Sequence, residues 1–97
     1  MSTFDQKPTE LESDIQSDII DFAHVRGWFA VKIVSPSRRG MMDIYALRHG
    51  RHVWIEVKVP GEEPTEQQAK VAREMKAHGA TDVYWVDSLE QARSILK

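Results

Sequence analysis

The chain has 97 residues, 41% hydrophobic and 29% charged, which is the composition of one ordinary globular domain and not of a disordered chain. It contains no cysteine, which excludes a disulfide framework, a thiolate zinc site and cysteine nucleophilic chemistry. No apolar run approaches the roughly 20 residues of a membrane span, and the first residues lack an export-signal pattern, so we expect no membrane partner and a cytoplasmic location. Because a small domain has a thin stability margin, we also expect a homodimer.

Charge is distributed unevenly along the chain. The net charge is −2, yet residues 27–58 carry six bases against two acids. The bases are Lys32, Arg38, Arg39, Arg48, Arg51 and Lys58, and the acids are Asp43 and Glu56. A polyanion such as DNA would be attracted to this middle third. We take Lys32, Arg38, Arg39 and Arg51 as candidate phosphate contacts, with a solvated strand-and-loop face as the open alternative.

The N-terminal half predicts one helix and three strands. Apolar residues at helical spacing predict a helix over about residues 10–24, with Thr9 as its cap and Gln16 facing solvent. Residues 1–8 are predicted to form a flexible tail before a single domain of residues 9–97. Strands are predicted at residues 28–34, 42–48 and 52–59, and the last two are joined by a tight turn at residues 49–51.

The C-terminal half predicts a helix, a strand and a last helix. The first helix covers residues 65–78, and Gly79 ends it. Asp82–Val86 is predicted as an internal strand, parallel to its neighbour because a helical crossover precedes it. Ser88 caps the last helix, and we expect Trp28, Trp54 and Trp85 to lie in the core. The order α-β-β-β-α-β-α predicts an α/β domain with a mixed sheet flanked by helices.

Three side chains with acid–base and metal chemistry converge on the predicted hairpin. Side chains alternate along a strand, so Glu56 and Lys58 project from the same face. A turn at His49 and Gly50 makes the numbers of opposed residues sum to about 99, which sets Asp43 opposite Glu56. Two carboxylates and a lysine are therefore expected to meet. A solvated cross-strand salt bridge is the alternative that the strand pattern leaves open.

This set of groups suits Mg²⁺ or Mn²⁺. Mg²⁺ is held by one or two carboxylates together with water and substrate phosphate, so Asp43 and Glu56 suffice, and the Val57 carbonyl can add a further oxygen. The cation would polarise a phosphoryl oxygen and activate a water molecule. Lys58 is placed to position or deprotonate that water, or to stabilise charge on the phosphate.

The pattern over most of the chain resembles a known nuclease superfamily. It consists of Gly40-Met41-Met42-Asp43 before a strand, then Ile55-Glu56-Val57-Lys58, a glycine-containing loop, and Gln68 near a helix start. These features resemble the PD-(D/E)XK nucleases and, within them, the VRR-NUC family in its compact stand-alone phage form, over about residues 12–96. Met42 departs from the pattern, because the family usually has proline before the aspartate.

The resemblance implies roles for five residues. Asp43, Glu56 and Lys58 match the acid, acid and lysine of the family, Glu12 matches its helical glutamate, and Gln68 matches its glutamine after the third strand. Two of these residues have another interpretation. Residues 9–12 and 65–68 each have the form of a helix capping box, in which Glu12 or Gln68 bonds a backbone amide instead.

The sequence thus predicts a restriction-endonuclease-like α/β domain that cuts DNA with the help of Mg²⁺ or Mn²⁺. The resemblance implies a structure-specific endonuclease for branched DNA such as a four-way (Holliday) junction, and a twofold dimer would supply the two symmetric cuts. Its setting would be a bacterial or phage-infected cell. Two alternatives stay open: a DNA-binding or protein-interaction module on the same fold, and a nuclease for RNA or linear duplex ends.

Overall fold

A computed structural model describes the backbone of residues 3–34 and 36–97, and the side chains of residues 11–34 and 36–97. The elements follow the predicted order α-β-β-β-α-β-α. They are α1 (Thr3–Val25), β1 (Phe29–Lys32), β2 (Ile44–Arg48), β3 (Arg51–Val57), α2 (Glu66–Ala77), β4 (Asp82–Val86) and α3 (Leu89–Ile95). Within the described residues no helix is both long and apolar enough to cross a membrane.

Helix α1 begins earlier than the sequence predicts. Its backbone is helical from Thr3, so Thr9 lies inside the helix and is not its N-cap. Residues 3–8, predicted as a tail, belong to the helix, and residues 1 and 2 lie outside the described part of the chain. A capping pattern is a local signal, and helical hydrogen bonding continues through it because each added residue gains one bond. The capping-box interpretation of Glu12 therefore does not apply.

The hairpin of β2 and β3 has the predicted register. The antiparallel pairing runs from Arg48 with Arg51, next to the turn, to Ile44 with Ile55, next to the site. His49 and Gly50 both have positive φ, 51° and 80°, which is the backbone of a two-residue turn that matches the twist of the strands. The turn thus fixes which side chains face each other across the hairpin.

Strand β4 is parallel to β3, as predicted, but it is not internal. The sheet order is β1-β2-β3-β4, so among the described residues β4 forms one edge. The edge position follows from connectivity, because β2 already occupies the other side of β3 and a helix, not a strand, follows β4. The prediction that Trp85 lies in the core is accordingly wrong, since this side chain is 47% exposed.

The two faces of the sheet are covered unequally. Helices α1 and α3 pack on one face, where the core is formed by apolar side chains of both helices and of all four strands. The core side chains include Ile19, Ala23, Ala30, Ile44, Ile55, Val57, Val86 and Leu96, with Trp28 among them as predicted. Helix α2 lies on the opposite face and contacts β4. That opposite face carries the candidate site.

Candidate active site

Asp43 and Glu56 meet where β2 begins and β3 ends. Asp43 lies in a bend directly before β2, and its amide donates to the Ile55 carbonyl at 3.0 Å. The Asp43 carboxylate then accepts the Val57 amide through Oδ2 at 2.8 Å. Glu56 lies between Ile55 and Val57, the two residues whose backbone bonds Asp43, and is only 4% exposed. The backbone therefore holds Asp43 in place beside a buried glutamate.

Lys58 completes the predicted set. Its Nζ lies 3.9 Å from Oε2 of Glu56, on the strand face that side-chain alternation predicts. Because Glu56 is buried, the alternative of a solvated cross-strand salt bridge does not describe this pair. The three groups form a compact, largely desolvated cluster.

Gln68 caps helix α2 and also contacts Glu56. Its amide oxygen accepts the Thr65 backbone amide at 2.8 Å, and its own backbone amide donates to Thr65 Oγ1 at 3.1 Å, so it completes a capping box at the start of α2. Its side-chain Nε2 donates to Glu56 Oε2 at 2.6 Å. The cap thus fixes the rotamer of the side chain that orients Glu56.

Gly40 allows the loop before Asp43 to approach α2 closely. A Cβ atom at this position would lie 2.8 Å from both the carbonyl oxygen and Cγ of Gln67. Its φ of +84° is a second reason for glycine, because side chains rarely adopt that region. The Gln67 side chain donates to the Arg39 carbonyl at 3.3 Å across the same contact. This packing brings the Asp43 loop and the Gln68 helix to one place.

The electrostatics of the cluster favour a cation. Burial, with the added negative charge of Asp43, raises the pKa of Glu56 from 4.5 to about 8, although Lys58 opposes the shift. Burial also raises the pKa of Asp43, while the Val57 amide and the charges of Lys58 and Lys32 lower it. Desolvation and nearby negative charge both disfavour ionised carboxylates. The negative charge of the ionised pair is therefore incompletely compensated by the protein.

Glu12 lies within electrostatic range of this cluster. Its pKa is raised by burial first and by the charge of Asp43 second, while Lys58 lowers it. Glu12 in turn contributes to the raised pKa of Glu56. Helix α1, which packs on the other sheet face, thus brings a third carboxylate to the edge of the site.

The donor set fits a divalent cation of the Mg²⁺ type. Among the described residues no donor reaches the buried Glu56 Oε1, so one carboxylate oxygen is left for a ligand. No three or more His, Cys, Asp or Glu side chains in the described ranges are arranged to hold a metal together. Mg²⁺ does not need such a cage, because it keeps several waters and binds through one or two carboxylates. Asp43 and Glu56 meet that requirement.

The predicted phosphate contacts are not gathered at the site. Lys32 is exposed at the end of β1 and is near enough to lower the pKa of Asp43. Arg38 instead pairs with Glu74 on α2 at 2.7 Å. The Arg39 side chain is exposed in the loop.

Arg51 has a structural environment at the far end of β3. Its guanidinium donates to the Ile95 carbonyl at 2.8 Å and to Asp82 at 3.1 Å. It also lies 5.7 Å above the Trp28 ring. Glu56 is five residues further along the same strand, about 16 Å away at the usual rise. Arg51 thus joins β3 to β4 and α3 and is not brought to the site.

Sequence reasoning missed two features near the site. Gln16 was expected to face solvent, but it is only 6% exposed, and no described residue donates a hydrogen bond to its Oε1. The signal was present, because Gln16, Ile19 and Ala23 share one helical face. Arg73 and Lys76 of α2 line a cavity with Glu56. They were not singled out from sequence because acids outnumber bases in the C-terminal third of the chain.

Comparisons with known proteins agree with this fold. No family model matches the chain. The chain is 38% identical over 60 residues to "Putative nuclease p44" of Acyrthosiphon pisum secondary endosymbiont phage 1, a match that covers 61% of this chain and 64% of the length of that relative. A solved structure described as "VRR_NUC domain" superposes with a TM-score of 0.77 at 23% identity and covers 89% of this chain and 94% of its own. The predicted restriction-endonuclease-like fold, and the resemblance to VRR-NUC domains at the level of fold, are confirmed.

Proposed function

We propose that this protein is a metal-dependent nuclease that hydrolyses phosphodiester bonds of DNA at Asp43, Glu56 and Lys58. The observation that carries the proposal is the buried Glu56 carboxylate beside the half-buried Asp43 and Lys58, with no donor to Glu56 Oε1 among the described residues. A structural ion pair would not need a second acid close enough to raise the pKa of the first. The nuclease relative and the VRR_NUC fold support the same function.

Each residue of the site has a task in this proposal. Asp43 and Glu56 would hold Mg²⁺ or Mn²⁺, and the Val57 carbonyl is a further candidate ligand. When bound, the cation would polarise the scissile phosphate and make a water molecule more acidic. Lys58 would orient the attacking water or stabilise the charge that develops on the phosphate. Gln68 holds Glu56 at 2.6 Å and so fixes the orientation of that carboxylate.

For the substrate we propose branched DNA, including a four-way junction, cut by a twofold dimer. The uncovered part of the α2 face of the sheet supports a dimer, because it presents apolar and aromatic side chains. By register these side chains share one face, and they are Phe29, Val31, Tyr45, Leu47, His52 and Trp54. Phe29 is 58% exposed, an unusual state for a phenyl ring unless a second surface covers it. The phage relative supports a phage-infected bacterial cell as the setting.

Cleavage of a labelled four-way junction tests the proposed chemistry. The wild-type protein should nick the junction with Mg²⁺ or Mn²⁺ and be inactive with EDTA. Asp43→Asn and Glu56→Ala should abolish cleavage and retain DNA binding, because they remove cation ligands. Asp18→Asn, a change of an exposed carboxylate on α1, is the matched control and should cut normally. Equal cleavage by Asp43→Asn and Asp18→Asn would contradict the proposal.

Substrate competition tests the proposed preference. A labelled four-way junction would be challenged with unlabelled four-way junction, flap DNA, linear duplex and RNA of matched length. The proposal requires that the junction compete best. Better competition by RNA or by linear duplex would identify that nucleic acid as the preferred substrate. Binding without cleavage under every metal condition would show that the protein is a binding module.

A further inference from the structure

A cavity opens beside the carboxylate cluster, between α2 and β4. Its volume is about 250 Å³, and Glu56 and Gln68 are among the residues that line it. Apolar side chains of α2 and β4 form its walls, and Arg73, Lys76 and Trp85 line it as well. Because Glu56 belongs both to the cavity and to the proposed catalytic site, a group bound here would adjoin the reacting phosphate. The volume is slightly below the roughly 300 Å³ at which ligand pockets usually begin, so at most one nucleotide can occupy the cavity.

Trp85 supplies an aromatic surface on the face of the sheet that carries Glu56. The two residues are register partners on β3 and β4, and partners project from the same face. The indole is 47% exposed even though it belongs to a strand covered by α2. An exposed tryptophan beside a polar site is typical of a binding surface, and nucleobases stack on such rings in single-stranded nucleic acids.

Two cations of α2 border the same cavity. Arg73 and Lys76 are three residues apart, so they lie on neighbouring positions of the helix surface. Within the part of the chain whose side chains are described, neither has a carboxylate within 4.0 Å, unlike Arg38 and Arg51. Two cations without carboxylate partners, beside an aromatic ring, match the phosphate and the base of one nucleotide.

We propose that this cavity is a subsite for one unpaired nucleotide next to the scissile phosphodiester. The base would stack on Trp85, and the phosphate that follows would lie between Arg73 and Lys76. A base in a closed duplex is stacked on both sides and does not offer a free face, so the subsite favours DNA with a single-stranded arm or an opened branch point. This inference rests on the proposed function, since it takes DNA as the ligand.

DNA binding without cleavage is the test of the subsite. Fluorescence anisotropy would compare a labelled duplex with a single-stranded arm and the same duplex with blunt ends, in the Asp43→Asn background with Mg²⁺, so that the DNA stays intact. Trp85→Ala should weaken binding of the armed DNA by about 5- to 100-fold, the usual effect of losing one stacked base. Trp85→Phe should restore most of it, and binding of the blunt duplex should change little.

The two cations are tested by the salt dependence of binding. Arg73→Gln with Lys76→Gln should lower the slope of log affinity against log salt by about one to two for the armed DNA. Lys70→Gln, on the same helix but outside the cavity lining, is the matched control and should have a smaller effect. Unchanged affinity in Trp85→Ala, or equal losses on armed and blunt DNA, would overturn the proposal. If Trp85→Ala does not fold by circular dichroism, a salt slope that does not differ between the double variant and Lys70→Gln overturns it.

Failure of the subsite and failure of the nuclease give different results. If the wild-type protein never cuts DNA but Trp85→Ala loses affinity for armed DNA only, the subsite stands and the nuclease proposal is wrong. If the wild-type protein cuts and the cavity variants bind the armed DNA as tightly as the protein without the cavity substitutions does, only the subsite is wrong.

Discussion

Replacing Glu56 by glutamine should stabilise the metal-free protein at pH 8 and leave its stability at pH 4.5 almost unchanged. Glutamine has the shape of protonated glutamic acid and can still accept the hydrogen bond that Gln68 donates at 2.6 Å. The substitution therefore removes the ionised form and keeps the packing. Its effect on the free energy of unfolding isolates the energetic cost of ionising a buried carboxylate beside Asp43.

The size and sign of the effect follow from the raised pKa. In the folded protein the pKa of Glu56 is about 8, against 4.5 for an ordinary glutamate. The folded state thus holds the proton more tightly, so this stabilisation is fully present below pH 4.5 and is lost as the pH rises through 8. At 1.36 kcal/mol per pKa unit, the upper bound of the loss is about 5 kcal/mol. Half of that would change the melting temperature of a domain of this size by about 10 to 20 °C.

Thermal unfolding in EDTA, followed by circular dichroism from pH 4.5 to 8.5, measures this effect. The melting temperature of wild type should fall relative to that of Glu56→Gln across this range. Added Mg²⁺ should raise the wild-type value at pH 8 and leave Glu56→Gln less affected. Glu63→Gln, at an exposed position, is the control and should follow wild type. A constant difference between wild type and Glu56→Gln at every pH would refute the reasoning.

Three further substitutions test separate parts of the site. Gly40→Ala should lower the free energy of unfolding in urea by about 1–3 kcal/mol and reduce cleavage, because its Cβ would lie 2.8 Å from α2; an undisturbed variant would show that the close approach is not needed. Gln68→Glu retains the capping acceptor but sets another carboxylate against Glu56, so it should melt lower than wild type at pH 8 in EDTA, and Mg²⁺ should restore it; equal melting would contradict the contact. Arg51→Gln should lower the melting temperature and leave DNA affinity in anisotropy unchanged, whereas a selective loss of affinity would show that Arg51 contacts DNA.

The hairpin and its two carboxylates could be predicted from sequence because the signals there are local. A two-residue turn at His49 and Gly50 fixes the register, and side-chain alternation then determines which residues share a face. These rules set Asp43 opposite Glu56, and the observed pairing follows the same register as far as Ile44 and Ile55. Thr65 and Gln68 likewise carry a cap signal that needs no tertiary information.

Features set by tertiary packing could not be predicted in this way. Asp82–Val86 is as apolar as an internal strand, and only the sheet order shows that it lies at an edge with Trp85 exposed. Arg38 precedes the site in sequence, yet its position depends on a carboxylate 36 residues away, Glu74. The second role of Gln68, its bond to Glu56, also needs the packing of α2 against the sheet.

The most direct test of the account is the position of a bound Mn²⁺ ion in a crystal, located by its anomalous scattering. The account predicts one peak within coordination distance of the carboxylates of both Asp43 and Glu56, and no peak at this position in crystals of Asp43→Asn. Absence of a peak at saturating Mn²⁺, or a peak bound by other side chains while Asp43 and Glu56 stay in contact with each other, would contradict it.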